Sequence, residues 1–522
     1  MARPANDMLV VSTADGEVRG ADLEGLQVWR GIPYARPPVG PLRFAAPQAP
    51  ESWRGVRQAV EPAPVAWQSL AVNMVTGEQA ELDRDEDCLY LNVTAPADPS
   101  PDVAGYPVLI WVHGGGYVQG AGAGDLVGDA AGLSRRGLVV VTFNYRLGAL
   151  GFLHLGDLTG AEFISSGHAG LLDQVAALRW VHANISGFGG DPQRITLYGV
   201  SAGAKSIANL MASPLTAGFI SRAISASGGG EHVANHEQAT RVRHRLLREL
   251  GIDDDRIALL TQVPAAEFVL AQEAIATGPA GTWVWRPVLG DPALPAPPVR
   301  AIASGAAAGI PMLIGSNGNE GATYQLVDRT AAEQAPRVLA ELFGQASADN
   351  MLAAYASARP ELDETGIWLA VLGAERYGIP TYRLARAQSA HAPVWRYRFD
   401  GCPPGAPAEL AGGHGLDMFA VWSADEFAGA AWNGHAEAQL CLAMADAWAR
   451  FSRGGSPSAL SAKRSDDRAP ELPRWDEFGA GDELTMILDP SPRLEPGPRQ
   501  AELDIWESRV WQSGTWWHFD GM

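Results

Sequence analysis

The chain has 522 residues, of which 47% are hydrophobic and 19% are charged, and its formal net charge is −20 at pH 7. Nucleic acids and anionic membrane surfaces are bound through clusters of Lys and Arg, so this charge argues against a nucleic-acid partner. No apolar run approaches the roughly 20 residues that a membrane-spanning helix needs, which excludes a membrane span as well.

The cysteines and the N-terminal sequence bear on the compartment. The three cysteines, Cys88, Cys402 and Cys441, cannot all pair, and they show no metal-ligand spacing. Such cysteine usage favours a reducing compartment. The N-terminal sequence also lacks the charged start and apolar stretch of a secretory signal. We therefore expect a cytoplasmic protein.

Short apolar runs alternate with helical patterns along the chain. Five runs are continuously apolar, as strands buried on both faces are, and they cover residues 106–113, 138–146, 194–201, 222–227 and 311–317. Residues 394–400 predict a later strand, and residues 171–185 predict a helix before a Gly-rich stop. This alternation predicts an α/β fold with a central, mostly parallel sheet flanked by helices.

A run of glycines directly follows the first of these strands. In "WVHGGGYVQG", residues 111–120, Gly114, Gly115 and Gly116 form a loop whose backbone can approach a ligand and offer N–H donors. A phosphate-binding loop would need a following Lys-Ser/Thr or G-x-G-x-x-G spacing, and neither is present. The glycines therefore predict a loop that binds an oxyanion.

Ser201 stands between two glycines at the end of the third predicted strand. "ITLYGVSAGAKS", residues 195–206, reads as a strand, a sharp turn and a helix start, which is the setting of a G-x-S-x-G nucleophile elbow. Side chains at Gly199 and Gly203 would collide across so tight a turn. The N-terminus of the helix would face charge that develops beside the serine, so Ser201 is a candidate nucleophile.

A serine nucleophile needs a histidine base and a carboxylate that orients it, and after an elbow of this kind the acid precedes the histidine in the chain. Two carboxylates follow predicted strands: Glu320, just past residues 311–317, and Asp400, at the end of residues 394–400. The residues themselves leave both open as the orienting acid.

Four histidines lie downstream of Glu320: His391, His414, His435 and His518. His414 lies in a glycine-flanked loop, "AGGHGLDMF", residues 411–419. His435 leads a run of helical character, and His518 lies in a Trp-rich tail. The spacing favours His414 as the base, with a histidine in an ordinary surface loop as the alternative.

Several further segments, together with the glycine loop and the elbow, resemble the type-B carboxylesterase/lipase family, which includes bacterial esterases and the cholinesterases. The likeness runs from residues 28–47 to residues 472–478, and its segments include "EDCLYLNV" (86–93), "HGGGY" (113–117), "NYRLGALGFL" (144–153), "ISGFGGDPQRITLYGVSAGA" (185–204), "GNEG" (318–321) and "GGHG" (412–415). The resemblance implies one α/β-hydrolase domain over residues 1–522, with long insertions around the mouth of the active site.

The resemblance also implies the chemistry of a serine esterase, a carboxylic ester hydrolase that acts on a small-molecule ester and needs neither cofactor nor metal. The roles that it implies are nucleophile for Ser201, general base and then acid for His414, orienting carboxylate for Glu320, oxyanion-hole N–H donor for Gly115, Gly116 and Ala202, and support of the catalytic triad for Ser227.

The chain departs from its relatives at three points. Trp67 stands where many relatives have a cysteine that pairs with the equivalent of Cys88, so Cys88 is expected to be free. Glu78 stands near the place of the tryptophan that contacts choline in cholinesterases, and Val200 replaces the glutamate that commonly precedes the serine. We therefore expect neutral substrates, with Val200 and Tyr117 in the substrate pocket.

Two other functions are compatible with parts of this pattern. An amide or carbamate hydrolase would use the same triad, and only a panel of substrates would separate it from an esterase. A non-catalytic, cholinesterase-like adhesion protein would need secretion and usually a damaged triad. The intact set of Ser201, Glu320 and His414 argues against the adhesion protein.

Overall fold

The computed structural model of the protein describes residues 9–69, 82–122, 130–158, 163–275, 284–290, 292–327, 330–427, 429, 431, 435–458, 471–479 and 481–514. Its strands are β1 (Val10–Ser12), β2 (Glu17–Arg19), β3 (Ala21–Leu23), β4 (Leu26–Pro33), β5 (Val56–Gln58), β6 (Tyr90–Pro96), β7 (Tyr106–Val112), β8 (Val139–Phe143), β9 (Gly190–Val200), β10 (Arg222–Ala226), β11 (Met312–Asn317), β12 (Val394–Phe399), β13 (Leu484–Leu488) and β14 (Arg493–Pro496).

The α-helices of the described residues are α1 (Ala130–Arg135), α2 (Gly148–Phe152), α3 (Ala169–Asn184), α4 (Ala202–Ala212), α5 (His236–Glu249), α6 (Ala265–Ile275), α7 (Pro298–Ala303), α8 (Tyr324–Val327), α9 (Gln334–Phe343), α10 (Gln345–Ala358), α11 (Glu364–Gly373), α12 (Ile379–Ser389), α13 (Leu416–Trp422), α14 (Ala424–Phe427), α15 (Ala436–Ser452) and α16 (Gln500–Glu507). None of them is long and apolar enough to cross a membrane.

Eleven strands form one large sheet in the order β14-β13-β12-β11-β10-β9-β7-β8-β6-β4-β3. From β8 to β13 the neighbouring strands pair in parallel, whereas β14 at one edge and β6, β4 and β3 at the other pair antiparallel. Strands β1, β2 and β5 form a separate small sheet. The predicted central, mostly parallel sheet is therefore confirmed.

The central strands are buried on both faces, which explains their continuous hydrophobicity. On β7, Val108, Ile110 and Val112 belong to one core cluster, and Leu109 and Trp111 belong to the cluster on the opposite face. Successive side chains of a strand point to opposite faces, so a strand between two helical layers has no polar side. The six predicted strands correspond to β7 to β12, and the predicted helix corresponds to α3.

The carboxyl ends of the parallel strands position the candidate site residues. Strand β9 ends directly before Ser201, β11 ends three residues before Glu320, and β12 leads into the loop that carries His414. Since β9, β10, β11 and β12 are consecutive in the sheet, these three residues lie beyond the same edge. Open α/β sheets bind their ligands at this edge.

Candidate active site

Ser201 occupies the turn between β9 and α4 in a conformation that residues other than glycine rarely adopt, with φ 57° and ψ −121°. Its backbone N–H donates to the carbonyl oxygen of Ala226 at 2.9 Å, and its own carbonyl accepts from the N–H of Lys205 at 2.9 Å. A strained backbone of this kind persists only where its surroundings hold it, and such residues cluster at functional sites. These backbone hydrogen bonds therefore help to hold Ser201 in its strained conformation.

The two glycines of the elbow are required by close packing. A Cβ added at Gly203 would lie 1.9 Å from the carbonyl oxygen of Val112, and one added at Gly199 would lie 2.7 Å from the carbonyl carbon of Gly203. Real Cβ atoms do not approach backbone atoms so closely. The collision that the sequence predicts therefore includes the neighbouring strand β7 as well as the turn itself.

The glycine loop lies against the elbow. A Cβ added at Gly114 would lie 2.8 Å from the carbonyl oxygen of Val200 and 3.4 Å from the Cβ of Ser201. Gly115 and Gly116 have φ of 98° and 64°, a region that favours glycine. Within the described part of the chain, the N–H groups of Gly115, Gly116 and Ala202 donate no hydrogen bond. All three remain available to a ligand beside Ser201.

An aromatic pair fixes the start of this loop. The imidazole of His113 stacks on the ring of Tyr145 with 4.2 Å between ring centroids and 13° between planes. The Tyr145 hydroxyl donates to the carbonyl oxygen of His113 at 2.9 Å. Burial lowers the pKa of His113 to about 4, so its ring is neutral near pH 7. His113 thus has a structural role at the loop.

Glu320 binds three donors in a short helical turn after β11. Its Oε2 lies 2.6 Å from Nδ1 of His414, and a carboxylate accepts a hydrogen bond from that nitrogen. Its Oε1 accepts from the hydroxyl of Ser227 at 2.6 Å and from the backbone N–H of Asn317 at 2.7 Å. Both oxygens are therefore held, and the imidazole plane is held with them.

The alternative acid lies in a different environment. Asp400 binds the guanidinium of Arg398 through both carboxylate oxygens, at 2.5 Å to 3.1 Å. Of the other downstream histidines, the two that the structure describes are also apart from Glu320. His391 contacts the carbonyl oxygen of Ala303 at 2.9 Å, and His435 is exposed at the start of α15. His518 lies outside the described residues.

The two residues expected in the substrate pocket are both buried. Val200 belongs to the core cluster that contains Trp111. Tyr117 is fully buried, and its hydroxyl accepts from Ser206 at 3.1 Å and from Asn209 at 3.4 Å. These contacts anchor Tyr117 under α4, and a role in substrate binding stays a prediction. Glu78, at the choline position, lies outside the described residues.

Sequence reasoning missed two buried residues at the site. The ring of Tyr377 stacks on the imidazole of His414 with 4.0 Å between ring centroids. The amine of Lys205 lies 4.8 Å from the centroid of the Tyr377 ring. A charged residue among the small residues of "SAGAKS" was a visible signal for Lys205, whereas "AERYGIP" carries no motif that points to Tyr377.

A second carboxylate is linked to Glu320. Asp417 is buried and accepts from the Tyr397 hydroxyl at 2.7 Å and from the side-chain amide of Asn317 at 3.2 Å. Burial raises its pKa, and the charge of Glu320 raises it further. Asn317 thus binds both carboxylates, one through its backbone and one through its side chain.

Comparison with known proteins identifies the family. The model of the carboxylesterase family matches residues 7–506. The chain belongs to the carboxylesterase family. Among curated carboxylesterase relatives, the para-nitrobenzyl esterase of Bacillus subtilis (strain 168) is 36% identical, covering 94% of this chain and 97% of the relative. The phenmedipham hydrolase of Pseudarthrobacter oxydans is 32% identical, covering 92% and 94%.

Solved carboxylesterase structures agree with this assignment. A para-nitrobenzyl (PNB) esterase superposes with a TM-score of 0.81 at 34% identity, covering 95% of this chain and 99% of that structure. A carboxylesterase of Geobacillus stearothermophilus gives the same TM-score at 32% identity, covering 95% and 100%. The chain therefore has the α/β-hydrolase fold and is a carboxylic ester hydrolase.

Proposed function

We propose that the protein hydrolyses carboxylic esters by a serine-dependent route through an acyl-enzyme, with Ser201, His414 and Glu320 as the catalytic triad. The observation that carries this proposal is the 2.6 Å contact between His414 Nδ1 and Glu320 Oε2, beside a serine in a strained elbow. The ring of Tyr377 stacks on the imidazole of His414 at 4.0 Å, which further fixes the imidazole.

Acylation begins when Ser201 Oγ attacks the ester carbonyl carbon and its proton passes to Nε2 of His414. Glu320 keeps a proton on Nδ1, which leaves Nε2 free to accept, and its charge stabilises the imidazolium that forms. The carbon–oxygen bond to the alcohol then breaks. The alcohol leaves with the proton from Nε2, and the acyl group stays on Ser201.

Deacylation repeats these steps with water. His414 Nε2 takes a proton from the water as the water oxygen attacks the acyl carbon, and the bond to Oγ breaks. The proton returns to Oγ, the acid leaves, and Ser201 is restored. The N–H groups of Gly115, Gly116 and Ala202 are the proposed donors to the oxyanion in both tetrahedral intermediates.

The same proposal assigns neutral esters as the substrate class. Val200, which directly precedes the nucleophile, has an apolar side chain and packs in the core cluster with Trp111 and Tyr198. It supplies no negative charge that would attract a cationic alcohol group. A choline ester should therefore have a lower kcat/KM than its neutral isostere, the 3,3-dimethylbutyl ester.

The assignment of the nucleophile is tested with Ser201→Ala and a p-nitrophenyl acetate assay. Because triad residues act as a unit, kcat should fall by several orders of magnitude, on the order of 10⁶-fold. Ser225→Ala is the matched control, since its buried hydroxyl has no hydrogen-bond partner among the described residues. Activity of Ser201→Ala above about a hundredth of wild type would overturn the assignment.

A panel of matched substrates separates an esterase from an amide or carbamate hydrolase with the same triad. The panel compares p-nitrophenyl acetate, p-nitroacetanilide and a p-nitrophenyl carbamate on the wild-type protein. The ester should have the highest kcat/KM, because p-nitrophenolate leaves more easily than p-nitroaniline and because the nitrogen lone pair makes a carbamate carbonyl less electrophilic than an ester carbonyl. A higher value for the anilide or the carbamate would reassign the substrate class.

We also propose that the protein works in a reducing compartment such as the cytoplasm. Cys88, Cys402 and Cys441 are all free thiols, and Cys88 and Cys441 are buried. Free buried thiols persist where no oxidant reaches them. Fractionation of cells that produce the protein should recover its activity with cytoplasmic markers.

A further inference from the structure

The helical stretch between α11 and α12 is interrupted beside His414. Residues Ala374–Gly378 form a π turn there. Pro380 explains the turn, because it has no N–H for the carbonyl of Arg376 and its ring would collide with that carbonyl in a regular helix. Such π turns occur frequently at functional sites. Tyr377 lies in this turn, and it is 3% exposed.

The ring of Tyr377 covers one face of the His414 imidazole. The two ring centroids are 4.0 Å apart, and the planes differ by 20°. Glu320 holds the same imidazole at its edge, with 2.6 Å between Oε2 and Nδ1. A hydrogen bond at one nitrogen leaves the ring plane free to tilt about that contact, and a flat ring against the face removes this freedom. The edge and the face of the imidazole are therefore held by different residues.

The Tyr377 ring is itself held by its surroundings. The backbone of α11 packs against Glu320, since a Cβ added at Gly373 would lie 2.9 Å from the Cβ of Glu320. The amine of Lys205 lies 4.8 Å from the centroid of the Tyr377 ring, and the guanidinium of Arg376 lies 5.5 Å from it. Cations at these distances are attracted to the ring face. These contacts keep the ring in place while the imidazole changes its charge.

We propose that Tyr377 is a positioning residue for His414, and that its ring face stabilises the imidazolium that forms during acylation and deacylation. The inference rests on the proposed function, in which Nε2 of His414 takes a proton from Ser201 and later from water. The face of an aromatic ring carries partial negative charge and attracts a cation within about 6 Å of its centroid. A neutral imidazole gains only stacking from this contact, whereas an imidazolium gains the attraction of its charge as well.

The contact is therefore stronger in the transition state than in the resting protein, which is the condition for an interaction to increase the rate. No bond of Tyr377 forms or breaks. The proton moves only between Nε2 of His414 and the oxygens of Ser201, the leaving alcohol and water. The ring, and not the hydroxyl, is the part of Tyr377 that acts.

Two substitutions at position 377 separate the ring from its hydroxyl. Tyr377→Phe keeps the ring face and should keep kcat/KM for p-nitrophenyl acetate within about twofold of wild type. Tyr377→Leu removes the face and should lower kcat/KM by about 5- to 30-fold, the range that a buried cation–π contact supports. Equal values for the two variants would overturn the inference, because the aromatic face would then make no difference.

A graded series of rings does not depend on how Tyr377→Leu folds. Phenylalanine and its 4-fluoro, 3,5-difluoro and 3,4,5-trifluoro derivatives, introduced at position 377 alone, keep the shape of the ring, while each fluorine makes its face less negative. The value of kcat/KM should fall stepwise along the series, by about 5- to 30-fold in all. A ring that only fills space would give the same kcat/KM throughout, and that result would overturn the inference.

Fluorination also weakens the contacts of the ring with Lys205 and Arg376. It does so equally in the resting protein and in the transition state, so these contacts change the thermal unfolding of the variants and leave the rate unchanged. Thermal unfolding is therefore measured in parallel with kcat/KM.

Phe188 provides the matched control for fluorination. Its buried ring contacts Trp29 and Trp180, with 4.9 Å and 6.0 Å between centroids. It precedes β9, at the end of the strand away from Ser201. Phe188→3,4,5-trifluorophenylalanine should keep wild-type kcat/KM. A loss as large as that at position 377 would show that fluorination of any buried ring slows the reaction, and it would overturn the inference.

Labelling of Ser201 separates this inference from the proposed function. Diethyl p-nitrophenyl phosphate should phosphorylate Ser201 in the wild-type protein, with release of one p-nitrophenolate per chain. If Ser201 is labelled and essential but the fluorinated series at position 377 is flat, only the role of Tyr377 is wrong. If Ser201 is neither labelled nor essential, the proposed function is wrong and the role of Tyr377 is wrong with it.

Discussion

The substitution Glu320→Gln converts one oxygen of the carboxylate proposed to orient His414 into an NH₂ group, and the structure predicts which one. Oε1 faces the backbone N–H of Asn317 at 2.7 Å, a donor that cannot rotate away. The amide oxygen must therefore stay at this position, and the NH₂ group takes the place of Oε2, which is 2.6 Å from His414 Nδ1. The imidazole then has to accept at Nδ1 and carry its proton on Nε2.

A histidine protonated on Nε2 cannot take the proton of Ser201. In serine hydrolases, a triad acid changed to its amide lowers kcat about 10⁴-fold through this wrong tautomer. At about 1.36 kcal/mol per tenfold change in rate, the loss amounts to about 5.4 kcal/mol of transition-state stabilisation. Glu320→Ala lacks the NH₂ group and leaves the imidazole free to choose its tautomer, so it should retain more activity than Glu320→Gln.

The assay is kcat/KM for p-nitrophenyl acetate, with thermal unfolding measured in parallel to exclude loss of the fold. Asp400→Asn is the control for a carboxylate changed to its amide at the end of the neighbouring strand, and it should stay within about threefold of wild type. The reasoning would be refuted if Glu320→Gln were as active as Glu320→Ala or better, or if it kept more than about a tenth of wild-type activity.

Further predictions concern packing, a buried amine and the thiols. Gly203→Ala should lower the free energy of unfolding by about 3 kcal/mol, since its Cβ would lie 1.9 Å from the Val112 carbonyl oxygen. The control is Gly479→Ala, which has open space around its Cβ and should unfold like the wild type. Burial and the charge of Arg376 lower the pKa of Lys205 well below its ordinary value, so the folded protein releases this proton at a lower pH than the unfolded chain does. The free energy of unfolding of the wild type should therefore rise relative to that of Lys205→Met as the pH increases toward about 10.4. A difference in melting temperature between the two proteins that does not change with pH would contradict this. The denatured, unreduced protein should titrate with three thiols, and a single thiol would show that a disulfide had formed.

Features decided by local sterics could be predicted from the sequence. Continuous apolar runs identified β7 to β12 because these strands are covered on both faces. The glycines at 199 and 203 followed from the turn that Ser201 occupies, although the closest obstacle, the carbonyl of Val112, belongs to another strand. A steric constraint between residues that are a few positions apart in the chain can therefore be predicted from the sequence.

Features decided by tertiary contacts could not be derived from the residues. Glu320 and Asp400 follow β11 and β12, which are neighbours in the sheet, and nothing in either segment separates the two carboxylates. Arg398 binds one, and His414 meets the other, only once the strands are paired. The family resemblance chose Glu320 where the spacing could not.

Tyr377 shows the same limit more clearly. A proline at 380 within a helical stretch predicts an interruption. Which side chain the interruption turns toward His414 depends on how α11 packs against Glu320, a contact between residues far apart in the chain. Tyr117 illustrates the opposite case, because it directly follows the three glycines of the loop and yet directs its side chain into the core.

The candidate site is assembled from segments at the ends of four consecutive strands, and His414 and Glu320 alone are 94 residues apart in the chain. Parallel pairing over such separations forms slowly, because a long loop must close before any contact stabilises it. On dilution from denaturant, helical circular dichroism should therefore return before esterase activity does. Activity becomes a reporter of the last stage of folding, and a nascent chain that has not reached residue 414 is inert toward its own substrate.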